Sequence, residues 1–123
     1  MSTTIVSPHS ATLILQIEIP LEGSMMQREE NIQDALHDAG RMATGKALET
    51  FDTDGSTIIL GKTKLTARKQ KINQTYESPY GKVHVERYLY QSNLGGATYC
   101  PMENDARCVF NSTCRFAKIV TEK

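Results

Sequence analysis

Residues 78–101, SPYGKVHVERYLYQSNLGGATYCP, decide the fold. Pro79 fixes φ at the second position of a tight turn, and Gly81 can take a left-handed conformation without a Cβ penalty, a spacing that suits a three-residue hairpin loop. Beyond it, Val83, Val85 and Leu89 alternate with His84, Glu86, Tyr88 and Tyr90, the period of two of a strand with one buried face. Residues 72–77 supply the partner strand. Gly95 and Gly96 break the pattern, and Tyr99, Cys100 and Pro101 close the unit.

Working backwards, residues 62–71 hold Lys62, Lys64, Arg68, Lys69 and Lys71 with no acid, the densest positive run in the chain. With Lys82 and Arg87 they form a set of cations able to neutralise phosphates, while Tyr88 and Tyr90, with Tyr76 and Tyr80 near them, offer rings for base stacking or hydroxyls for phosphate oxygens. The competing reading packs Tyr88 and Tyr90 against the Cys100 region. Base readout is not assigned, because no helix-turn-helix or zinc-finger pattern is present.

Ser24 followed by Gln27 has the form of a capping box, and Ile32, Leu36, Ala39, Ala43 and Ala47 recur at helical spacing, widened by Ala35, Met42, Leu48 and Phe51. The spacing predicts a helix over about 25–50. Gly40 and Gly45 weaken it by roughly 1 kcal/mol each but allow another element to approach, for core packing or for dimerisation. Leu13, Leu15, Ile17 and Ile19 mark a strand that Pro20 ends, and residues 57–60 a shorter one. Residues 1–10 read as loose, 11–110 as a single domain, and 111–123 as the start of a final helix. Ser112 or Thr113 would cap that helix, and Phe116, Ile119 and Val120 give it an apolar face suited to an interface. The expected fold is α+β: one long amphipathic helix on a small antiparallel sheet made of the first strand, the 57–60 strand and the hairpin.

Three further patterns invite chemistry. FDTDGST (51–57) has the form of the aspartate motif of haloacid-dehalogenase-type phosphatases, in which the first Asp attacks phosphorus. That chemistry places the motif at the end of a buried parallel strand, whereas the residues before it have helical periodicity, so Asp52 reads as a helix end and Asp54-Gly55 as a turn. A calcium loop fails because Thr63 stands where a bidentate Glu belongs. Cys100, Cys108 and Cys114, with His84 as a fourth ligand, lack the short Cys-Cys spacings of structural zinc sites.

The 123 residues suffice for one domain, and 14 Lys plus Arg balance 14 Asp plus Glu. The balance hides an asymmetry: residues 1–60 hold nine acids and three bases, residues 61–123 eleven bases and five acids, so the halves carry −6 and +6. Such a split suggests a surface for a polyanion, unless the halves neutralise each other. No stretch reads as an export signal or membrane span, and the odd cysteine count points to a reducing, cytoplasmic setting without membrane partners.

In order and separation, FDTDGST, TYESPYGKVHVERYLYQS (75–92), GGATYCPMENDAR (95–107) and RFAK (115–118) resemble the amino-terminal segment of bacterial insertion-sequence transposases of the Kra class, over roughly the last three quarters of the chain. Two departures are plain. Cys114 replaces a proline, and the ribonuclease-H-like catalytic domain of those transposases is absent. The resemblance implies a non-catalytic part, fragment or stand-alone product, with a role in DNA transposition. It would hold element DNA or assist assembly with a second copy or a full-length transposase, without catalytic residues, cofactor or metal of its own. The alternative is a small protein-interaction module that does not bind DNA.

Overall fold

A computed structural model describes residues 2–9, 12–92, 95–109 and 111–121. The fold is α+β, with the order β1 (Ser2–His9), β2 (Thr12–Glu18), α1 (Met25–Glu49), β3 (Ile58–Leu60), β4 (Thr63–Ala67), β5 (Ile72–Ser78), β6 (Gly81–Arg87), β7 (Tyr90–Ser92), α2 (Pro101–Asp105) and α3 (Cys114–Thr121). The strands form three antiparallel groups, β1–β2, β3–β4–β7 and β5–β6, in place of the single sheet expected. The 2–9 segment, expected to be loose, is β1, paired with β2 from Ser2 opposite Glu18 to His9 opposite Thr12.

The capping box forms as its residues dictate: Ser24 Oγ accepts from Gln27 N at 3.2 Å, and Gln27 Oε1 accepts from Ser24 N at 3.1 Å. The helix buries part of the expected stripe. Ala35, Ala39 and Leu48 are buried, whereas Leu36 and Phe51 are exposed. Gly40 and Gly45 lie towards the β5–β6 hairpin and admit it closely: a Cβ on Gly40 would meet Tyr80 Cγ at 2.3 Å, and one on Gly45 would meet Val83 Cγ1 at 3.4 Å. Arg41 Nη1 pins the contact by donating to Tyr80 O at 2.9 Å.

The hairpin turn is one residue tighter than expected. Ser78 pairs with Gly81, leaving Pro79 and Tyr80 between the strands, and Gly81 takes φ 113°. Ser78 Oγ ties the turn by donating to Gly81 O at 2.7 Å and accepting from Tyr80 N at 3.2 Å.

Residues 81–92 run as one extended arm that changes partner midway. Its first part pairs with β5 as β6, and its last part pairs with β4 as β7. Tyr76, Val83 and Val85 turn inward to meet Leu48, Cys100 and Met102 in the core, with Leu89, Ala106 and Cys108 packed around them. Two strand edges are closed by later segments: Glu77 N donates to Asn111 O and Thr113 N to Glu77 O beside β5, while Tyr90 and Tyr99 exchange backbone bonds of 2.7 and 2.8 Å beside β7.

Candidate nucleic-acid interface

The positive run does not feed straight into the hairpin. It is split among a turn, a strand and a bend, and this sorts its members. Gly61, at φ 64°, opens the β3–β4 turn and places Lys62 at the tip. In β4, Leu65 points inward and is buried, so Lys64 and Thr66 face outward by the strand's period of two. Arg68 extends the register, because its N–H donates to Leu89 O at 3.0 Å across to the arm. Lys64 and Arg68 thus lie on one face, about 13 Å apart at about 3.3 Å per residue. Lys69 follows in the bend.

Lys62, Lys64, Arg68 and Lys69 are exposed, and none has an ion-pair partner among the described residues. Ile59, opposite Lys64, and Gln91, opposite Thr66, complete the outer face, and no acid lies in β3, β4 or β7. Ile59, Thr66 and Gln91 are absent from the sequence-based set. The alternation of Lys64, Leu65, Thr66, Ala67 and Arg68 was the signal that assigns Thr66 to this face.

Lys71 points elsewhere. Its Nζ lies 3.8 Å from Asp52 Oδ2 and 5.1 Å from the centre of the Tyr88 ring, a cation–π contact. Lys82 pairs with Glu77 at 3.7 Å on the outer face of the neighbouring hairpin.

Arg87 is corrected outright. It is 5% exposed, donating from Nε to Tyr76 Oη at 2.9 Å, from Nη1 to Ile72 O at 3.0 Å and from Nη2 to Glu103 Oε2 at 3.2 Å. Tyr76 in turn donates to Glu103 Oε2 at 2.5 Å. Position 87 shares the parity of Val83 and Val85, so the strand turns its guanidinium inward, where the core supplies an acid and a carbonyl. Burial, followed by the hydrogen bond to Glu103, pushes the Tyr76 phenol well above its ordinary value.

Tyr90 is corrected likewise. It is fully buried, and its hydroxyl bonds Thr53 Oγ1 and donates to Ser56 O, each at 2.7 Å. Tyr88 is half-buried, with Gly55 so close that a Cβ there would lie 2.8 Å from its ring. Both rings therefore pack on the 52–56 loop, and only the Tyr90 backbone, paired with Tyr99, meets the Cys100 region; the Tyr90 ring is enclosed and Lys71 lies over that of Tyr88.

That loop is structural. Where the arm changes partner, Tyr88 N has no strand acceptor, and both Asp52 carboxylate oxygens accept from it at 3.3 Å. The carboxylate follows a helix and is held by backbone, with no parallel strand behind it as phosphatase chemistry requires. Ser56 donates from N and Oγ to Asp54 Oδ1, at 2.9 and 2.6 Å, which lowers the Asp54 pKa.

Cys100 is buried, Cys108 half-buried and Cys114 exposed, the last donating to Ala106 O at 3.0 Å. Among the described residues no three His, Cys, Asp or Glu side chains are grouped to hold a metal ion. Phe116 is half-buried, while the side chains of Ile119 and Val120 lie outside the described residues. No described helix is long and apolar enough to cross a membrane.

No protein-family model, curated protein or solved structure matches this chain.

Proposed function

We propose that this chain is a non-catalytic DNA-holding module acting in DNA transposition, as its likeness to the amino-terminal segment of insertion-sequence transposases implies, and that it grips phosphates through the outer face of β3–β4–β7. One observation carries the reading: Lys62, Lys64, Arg68 and Lys69 stand exposed and unpaired around a sheet face that bears no acid, although the chain as a whole is neutral. Uncompensated cations are drawn to a polyanion by release of its counterions.

The acidic front half does not neutralise them. Among the described residues the ion pair linking the two halves is Lys71 with Asp52, which leaves the other four members of the run free. Because Tyr88 and Tyr90 are committed within the fold, the grip rests on the backbone of the nucleic acid, without stacked bases. Duplex binding followed by fluorescence anisotropy over a series of salt concentrations tests this. Affinity that falls with salt and is lost in a variant with the four cations changed to Ala supports it; no binding at low salt refutes it.

A further inference from the structure

We infer that β3 is a dimerisation edge, through which two copies of this chain join antiparallel to make a six-stranded sheet. The inference does not depend on the nucleic-acid reading; in the dimer Lys62 faces the second copy, and Lys64, Arg68 and Lys69 are the cations left open on the outer face.

The fold closes the edge of β5 with residues 111–113 and that of β7 with Tyr99, but among the described residues no backbone hydrogen bond reaches β3 from the side away from β4. The β3–β4 hairpin has a two-residue turn, so Leu60 and Thr63 exchange hydrogen bonds and the N–H and C=O of Ile59 point outward, unpaired. Edges of this kind are normally blunted by charge, proline or a bulge. Residues 57–61, Thr-Ile-Ile-Leu-Gly, have none of these, and Ile59 and Leu60 are 74% and 54% exposed.

A second copy is the occupant that fits, because the edge is complementary to itself. With Ile59 of one copy opposite Ile59 of the other, the antiparallel register runs the Gly61–Lys62 turn of each copy towards the turn of the other that Asp54 closes. Lys62 and Asp54 are both exposed, and neither has an ion-pair partner among the described residues. The two-fold axis thus sets a cation against an anion at each end of the seam. It also keeps both copies of Lys64, Thr66 and Arg68 on the same side of the joined sheet.

Sedimentation equilibrium on the whole chain is the test. The expected result is a concentration-dependent mass reaching two chains. Ile59→Lys should weaken association at least tenfold with an unchanged melting curve at concentrations low enough for both chains to be monomeric, since the side chain is mostly in solvent. Lys62→Asp should weaken it, and adding Asp54→Lys should restore it. In a Cys114→Ser background, Ile59→Cys should cross-link to itself under a mild thiol oxidant; this readout stands even if a charged variant folds poorly. A strict monomer at high concentration, a dimer indifferent to Ile59→Lys, or no cross-link at position 59 overturns the inference.

Discussion

Tyr80 lays its ring on the backbone of Gly40, so close that a Cβ there would sit 2.3 Å from the ring's Cγ. The contact joins the hairpin turn to α1, and it gives the two central glycines of the helix opposite mutational signs. Alanine gains about 1 kcal/mol of helix propensity over glycine at either site. At Gly40 that gain is outweighed by displacement of a whole aromatic ring whose carbonyl is held by Arg41, so Gly40→Ala is expected to destabilise by about 1–2 kcal/mol net. At Gly45 the new methyl would make an ordinary contact with Val83, and Gly45→Ala is expected to stabilise by up to about 1 kcal/mol. Urea unfolding of the two variants checks the pair.

Removing Arg87 should break the interior, not the surface. Arg87→Ala leaves Glu103, the Tyr76 hydroxyl and Ile72 O without their donor. Deleting one partner of a buried pair costs about 3–5 kcal/mol, and the partial exposure of Glu103 places this case near the lower end. Unfolding should show that loss, with near-normal DNA affinity in whatever fraction remains folded.

Asp52 holds the arm where it passes between sheets. Asp52→Ala is expected to destabilise by about 2–3 kcal/mol, because Tyr88 N loses its charged acceptor and Lys71 its partner. Lys71→Ala should cost about 0.5–1 kcal/mol through the lost ring contact and leave DNA affinity nearly unchanged. A large loss of affinity in Lys71→Ala would redraw the interface.

Alkaline pH should loosen the core. Burial pushes the Cys108 thiol up to about 11 and also raises Cys100, so both stay protonated in the folded chain after the unfolded thiols have ionised. The unfolded state then binds fewer protons, and stability falls as pH rises from about 9 towards 11. Urea midpoints across that window should decline, and Cys108→Ala should flatten the decline.

The long helix, its capping box and the hairpin were legible because each rests on local chemistry: a serine and a glutamine three apart, a proline-glycine turn, alternating valines. The buried face of α1 was legible in part: Ala35, Ala39 and Leu48 of the apolar stripe are covered and Gly40 and Gly45 admit Tyr80 and Val83, but that Leu36 and Phe51 stay exposed has no local signal. The charge of Arg87 is a misleading guide to its place, which is buried. Its place in step with Val83 and Val85 was visible, but the acid that receives it, Glu103, lies 16 residues on in α2. Where the arm leaves β5 for β4, Asp52 takes the N–H of Tyr88, a contact across 36 residues with no sequence signature.

The salt dependence of duplex binding tests the central claim most directly. With four free cations, the slope of log affinity against log salt should lie between about −2 and −3.6, at roughly 0.9 per phosphate neutralised, and each of Lys64→Ala and Arg68→Ala should reduce its magnitude by about 0.9 without changing the unfolding midpoint. Affinity that is absent, independent of salt, or unaltered when Lys62, Lys64, Arg68 and Lys69 are all changed to Ala would contradict it.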